Sequence, residues 1–155
     1  MLHLALYQPE IAANVGAAIR IAACFGARLH VIEPCGFPWK SRDIDRVALD
    51  YGALAPPHRH ADWRAFREDH VGRLVLLTTR GECSHSEHLW LAGDTLLIGQ
   101  ESAGVPEEVH SEVDMRVRIP LAPQARSLNM AIAGAVALAE ARRQLGLENG
   151  QGAPY

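Results

Sequence analysis

Three stretches of this 155-residue chain combine residue types that could do chemistry: Asn14-Val15-Gly16 with Arg20, the run Gly99-Gln100-Glu101-Ser102-Ala103-Gly104-Val105-Pro106, and Arg118-Ile119-Pro120 through Ser127-Leu128-Asn129. Gly99 and Gly104 permit close approach of backbone to a ligand, and the prolines fix loop direction. Few ionisable groups lie among them, so the ligand they suit is flat and partly apolar, held largely by backbone amides and carbonyls. Asn14 reads either as a helix N-cap or as an amide of the site. Arg20 is the only charge between Glu10 and Arg28, inside an otherwise apolar helix. A buried guanidinium needs a partner, and Glu101 is the natural one, whether the pair is structural or chemical.

Other chemistries find less support. There is no G-x-x-x-x-G-K-[ST] and no G-x-G-x-x-G after a strand, so the usual phosphate cradles are missing. Gln100-Glu101-Ser102-Ala103-Gly104 has the outline of a nucleophile elbow, but Gln stands first and only His110 follows as a base, so a small serine hydrolase using Ser102 is a weak alternative. His85 and His88 are loosely spaced and read as surface-loop histidines, as do His58 and His60; no metal is expected. Cys24, Cys35 and Cys83 are isolated and read as reduced cytoplasmic thiols.

Net charge is −3, which argues against holding nucleic acid by bulk positive charge. Residues 1–80 carry ten basic and eight acidic groups and 81–155 five and ten, so a polyanion surface is expected mainly in the first half. All the basic residues except Lys40 are Arg, which suits phosphate recognition but equally follows from a GC-rich coding bias. Arg42, Arg46, Arg59, Arg64 and Arg126 are candidate phosphate contacts, with solvated surface charge as the alternative. No signal peptide is read at the start, and the longest uncharged run, Ser127 to Ala139, falls short of the roughly 20 residues a bilayer needs. A soluble, cytoplasmic protein is expected.

The elements that must position these residues follow from hydrophobic periodicity. Strands are expected near 2–6, 28–33, 73–78, 95–99 and 115–119, and helices near 13–25, 41–50, 62–69, 105–111 and 127–145. Such alternation implies an α/β fold, a mostly parallel sheet flanked by helices, whose ligands sit at the strand exits. Gly26 and Gly146 mark helix ends, Ser41 and Asp62 helix starts, and Pro106 a first helical turn. Residues 1–147 read as one domain and 148–155 as a flexible tail. The first and last helices are so apolar that each needs cover on several sides, either from a helix-packed homodimer or from a deep core within one chain.

Taken in order, the three stretches resemble the motifs of the SPOUT methyltransferases, whose C-terminal deep trefoil knot binds S-adenosylmethionine. Leu6-Tyr7-Gln8-Pro9-Glu10-Ile11 with Asn14, Leu29-His30-Val31-Ile32-Glu33-Pro34 and Leu49-Asp50-Tyr51 narrow the likeness to the single-domain tRNA (cytidine/uridine-34)-2'-O-methyltransferases. The chain departs from the pattern at Gln100 and Ala103, where Pro and Arg are common, and at Ala131, where a second Ser is. The resemblance implies that Leu77, Thr78, Gly99, Ile119, Leu121 and Ser127 line the cofactor site. It further implies that Asn14, Arg20, Glu101, Ser127 and Asn129 surround the reacting ribose, and that a homodimer makes the tRNA anticodon-loop site without an added domain or a metal. A guanidinium is almost never deprotonated, so Arg20 is expected to stabilise developing alkoxide charge and hold a phosphate. The alternative within this likeness is an RNA-binding knot protein without methyl transfer. Periodicity alone would give an ordinary open sheet, since chains as a rule do not thread loops.

Overall fold

Leu74-Val75-Leu76-Leu77 and Thr95-Leu96-Leu97-Ile98 are apolar at nearly every position, the pattern of strands buried on both faces, and they become neighbours at the centre of the sheet. The computed structural model describes residues 1–40 and 42–147. Ser41, expected to open a helix, and the expected tail at 148–155 lie outside the described residues. In chain order the elements are β1 (His3–Tyr7), α1 (Ala12–Phe25), β2 (Arg28–Ile32), α2 (Arg42–Ala48), α3 (Tyr51–Leu54), β3 (His58–His60), α4 (Trp63–Asp69) and β4 (Leu74–Leu77). They continue with β5 (Cys83–Ser84), β6 (Thr95–Ile98), α5 (Glu107–Glu112), β7 (Met115–Arg118) and α6 (Met130–Gln144). The strands form one sheet in the order β3-β2-β1-β6-β4-β7-β5, and every pairing between them is parallel.

The expected α/β architecture is therefore present, and all ten expected elements form. β3, β5 and α3 are additions: His58-Arg59-His60 and Cys83-Ser84 are too short and polar to show a period of two. Alternation of side chains splits the core in two. Leu4, Leu6, Leu29, Val31, Leu96 and Ile98 face α1, α2 and α6, while Ala5, Tyr7, Ile32, Leu74, Leu76 and Leu97 face Phe66 of α4 and Val109 of α5.

Local chemistry sets the boundaries. Gly26 ends α1 in the left-handed conformation at φ +62°, and the Asp62 carboxylate accepts from the Ala65 N–H at 2.8 Å to start α4. α6 begins three residues later than expected because Asn129, not a residue near 127, is its N-cap; its side-chain oxygen accepts from the N–H groups of Ala131 and Ile132. Pro106 is likewise the N-cap of α5 and lies just outside its first turn. Asn14 is not an N-cap: α1 starts at Ala12, and Asn14 lies within its first turn. The apolar helices find cover within the chain, since α1 packs on α2 and α6, and α6 also on β6. A Cβ on Gly16 would come within 2.7 Å of the Ile44 carbonyl, so the glycine of the first motif is what lets α2 close on α1.

Candidate active site

Strands β4 and β6 end side by side, and their exits, the start of α1 and the start of α6 enclose a cavity of about 640 Å³. Leu77, Thr78, Gly99, Ile119, Leu121 and Ser127 all line it, and so do Asn14, Glu101 and Asn129. The loop after β6 folds tightly, with Gln100 and Gly104 exchanging backbone hydrogen bonds at 2.7 and 3.0 Å. A Cβ on Gly99 would lie 2.3 Å from the Gly104 carbonyl carbon, and Gly104 itself sits at φ +68°. Both glycines are therefore required by the loop that presents backbone to the cavity.

A chain of side-chain hydrogen bonds braces the three motifs. The Glu101 carboxylate accepts from the N–H groups of Glu10 at 2.9 Å and Ile11 at 3.2 Å, and from Asn14 Nδ2 at 3.0 Å. An anion is favoured there because these N–H groups open α1. Asn14 Oδ1 in turn accepts from Asn129 Nδ2 at 2.9 Å, and Asn129 Oδ1 caps α6. Each of the two amide groups keeps one further N–H for another acceptor. Beside them the Glu10 carboxylate accepts from the Ser102 N–H and hydroxyl, both at 2.8 Å, which hold it below the usual carboxylate range.

Arg20 requires a correction. It is not buried and does not pair with Glu101, whose oxygens are occupied by the α1 entrance and Asn14. Its side chain is exposed on α1, lies over the Tyr51 ring at 5.4 Å, and does not line the cavity. Six residues of helix, about 9 Å of rise, separate it from Asn14.

The histidine expectations change as well. His60 and His88 are buried, and His58 and His60 lie on β3 and not on a loop. His110, which the sequence offers only as a hydrolase base, lines the cavity. Its Nδ1 accepts from Arg116 Nε at 3.0 Å, which places the proton on Nε2, a buried atom with no partner among the described residues. The Ser102 hydroxyl donates to Glu10 and not to a histidine, so the hydrolase arrangement is absent from the described residues. Burial, reinforced by Glu33, pushes the Cys35 thiol up to about 11, which leaves it a poor nucleophile. Of the proposed phosphate contacts, Arg46, Arg59 and Arg64 hold Asp43, Glu33 and Glu68, and Arg42 and Arg126 are exposed.

A cavity walled by Leu76, Leu77, Ile98, Ile119 and Leu121, floored by glycine backbone and edged by Thr78, fits a planar heterocycle with polar edges. Asparagine amides and a carboxylate at its rim suit positioning a hydroxyl rather than hydrolysing an ester.

Known proteins resemble the chain over nearly its whole length. The tRNA (cytidine(34)-2'-O)-methyltransferase of Ancylobacter novellus is 49% identical over 148 residues, covering 94% of each chain. A solved structure concerned with 2'-OH methylation of C/U34 on tRNA superposes with a TM-score of 0.90 at 43% identity, over 96% of this chain and 98% of that one. An AdoMet-bound rRNA methyltransferase from Sinorhizobium meliloti matches with a TM-score of 0.84 at 30% identity, over 93% of this chain and 56% of that one. The model of the SpoU rRNA methylase family matches residues 1–139, the span that carries all three braced motifs. With that span and those likenesses in agreement, the chain belongs to the SpoU rRNA methylase family, the trefoil-knot class of RNA methyltransferases.

Proposed function

We propose that this chain transfers the methyl group of S-adenosylmethionine to the ribose 2'-hydroxyl of the wobble nucleotide 34, cytidine or modified uridine, in the tRNA anticodon loop, in the cytoplasm and as a homodimer. Residues 1–147 act as one knotted catalytic domain in this reading, the knot following from family membership. The observation that carries it is the Glu101–Asn14–Asn129 hydrogen-bond chain, which joins all three motifs at the rim of one cavity.

The cofactor brings a methyl group already activated on sulfonium, so the protein's task is to place the acceptor oxygen in line with it. Backbone at 99–104 and the Leu77, Ile119 and Leu121 walls would bind the apolar and planar parts, with Thr78 at a polar edge. Arg80 also lines the cavity, its side chain 63% exposed and paired with Glu107, and the apolar walls beside the glycine loop leave room for that ligand. Asn14, Asn129 and Ser127 hold the ribose, and Glu101 fixes the Asn14 amide so that its spare N–H points one way. Arg20, lying outside its own chain's cavity, reaches a reacting ribose from across the dimer and there stabilises developing negative charge.

An apolar stripe supports the dimer. Leu128, Ile132 and Val136 stand 39%, 55% and 36% exposed at helical spacing along and just before α6. Methyl incorporation from labelled cofactor into tRNA, followed by nucleoside mass spectrometry, tests the reading. Cytidine or uridine methylated on the 2'-oxygen at position 34 is expected. Binding of S-adenosylhomocysteine without incorporation into any tRNA would replace it with the RNA-binding alternative.

A further inference from the structure

Four histidines gather on the face of the sheet opposite the α1 and α6 layer, at the β3 edge and away from the cavity, which none of them lines. Register brings them there. His30 of β2 pairs directly with His58 of β3, His60 follows two residues on along the same face, and His3 lies on the adjoining strand β1. His30 and His60 are buried against the Phe66 ring, at centroid distances of 5.7 and 5.2 Å, while the His58 side chain is 51% exposed.

We propose that His30, His58 and His60 bind one divalent transition-metal ion of the zinc class and thereby fasten the edge strand β3 to β2. One ligand nitrogen from each lies within 4.8 Å of the other two. His30 Nδ1 is 2.9 Å from His60 Nε2, and two imidazole nitrogens sharing a tetrahedral zinc at about 2.0–2.1 Å stand roughly 3.3 Å apart. Opening that pair by a few tenths of an ångström admits the ion. The other nitrogen of each buried ring faces a further polar group. His30 Nε2 faces His3 Nδ1 at 3.0 Å, and His60 Nδ1 lies 3.7 Å from the Asp69 carboxylate, which a small approach turns into the carboxylate–histidine–metal arrangement that orients ligating rings.

The 2.9 Å contact between His30 Nδ1 and His60 Nε2 holds one proton, which moves to the outer nitrogen of its own ring when the ion binds. His58, half open to solvent on the edge strand, gives the entry path and swings onto the ion, leaving a fourth position for water. The site stands independently of the methyl-transfer reading, since it shares no residue with the cavity.

The test is titration of the chelator-treated full chain with Co²⁺ and displacement by Zn²⁺, read by visible absorption. The site gives one equivalent with tetrahedral imidazole-type bands and no thiolate charge-transfer band. His58→Asn, on an exposed side chain and so expected to fold, weakens Co²⁺ binding at least about tenfold, and Asp69→Asn weakens it less. Thermal denaturation should show a rise in Tm on adding Zn²⁺ to the native sequence and a smaller one in His58→Asn. No stoichiometric uptake, thiolate bands from Cys24, Cys35 or Cys83, or uptake unchanged by His58→Asn would each overturn the assignment.

Discussion

Glu101 accepts three N–H bonds, two from the backbone entering α1 and one from Asn14. Glu101→Gln replaces one acceptor oxygen with a donor that meets other donors, and a lost charge-assisted hydrogen bond costs about 1.5–3 kcal/mol. Asn14→Ala removes one of the same bonds and also frees Asn129 Nδ2. Because the two substitutions share a bond, urea denaturation of the single and double variants should give a coupling energy of at least about 0.5 kcal/mol. Additive losses would mean the Glu101–Asn14 bond contributes nothing to the native state. At this scale the sequence was informative about membership and misleading about pairing. Asn14, Glu101 and Asn129 were each identifiable as polar residues beside glycine turns, but periodicity cannot show that Glu101 turns toward the α1 entrance and not toward Arg20. Apolar neighbours in the chain make Arg20 read as buried, whereas its side chain stands exposed on α1 over the Tyr51 ring of α3.

Elements were legible where hydrophobic pattern and punctuation agreed, as at Gly26, Asp62 and the buried β4 and β6 strands. They were not where a strand is three residues of His and Arg, and with β3 unread the gathering of His30, His58 and His60 could not be foreseen. The segment between β5 and β6 shows how long-range bonds settle such regions. Gln144 at the end of α6 donates to the His88 carbonyl at 3.0 Å and accepts from the Trp90 N–H at 3.1 Å, which docks this segment on the helix. His88 is buried there edge-on to Trp90, with Nε2 unpartnered among the described residues and with Arg73 and Asp94 as its charged neighbours. Burial, then Arg73, lowers its pKa below 6.5 against a smaller opposing effect of Asp94. Above pH 6.5 both native and unfolded states are neutral at this ring and stability is full. As pH falls below 6.5 the unfolded chain takes a proton that the native ring refuses, so stability declines by up to about 1.4 kcal/mol per pH unit until the native pKa is reached. His88→Leu should therefore flatten the fall in unfolding free energy between pH 7 and pH 5, measured by urea denaturation. A slope identical to that of the native sequence would show that His88 titrates normally in the fold.

On the scale of the whole molecule the sheet places chemistry at its strand exits, yet one part of the expected machinery stands apart from them. The cavity holds Asn14, Glu101, Ser127 and Asn129, whereas Arg20 lies on the outside of α1. Leu128, Ile132 and Val136 form an apolar stripe close to the cavity rim, because Leu128 itself lines that rim. In the proposed homodimer an isologous contact along this stripe would bury it and carry the partner's first helix toward the opening. The sequence indicated that α1 and α6 needed cover without saying how much came from the same chain; packing of α1 on α6 supplies one side and leaves this stripe unmatched. Sedimentation equilibrium should give twice the 16.9 kDa chain mass for the native sequence, and Ile132→Glu, on an exposed position, should give the single mass with unchanged far-ultraviolet circular dichroism. Methyl transfer by that variant should fall at least about a hundredfold, since removing groups that stabilise developing charge costs about 10²–10³ in rate. Mixing Arg20→Ala chains with Glu101→Gln chains should restore part of the activity, because one of the two sites in a mixed dimer then has an intact cavity and an intact arginine. A native chain that sediments as a monomer while methylating tRNA would show that Arg20 is not needed from a second copy.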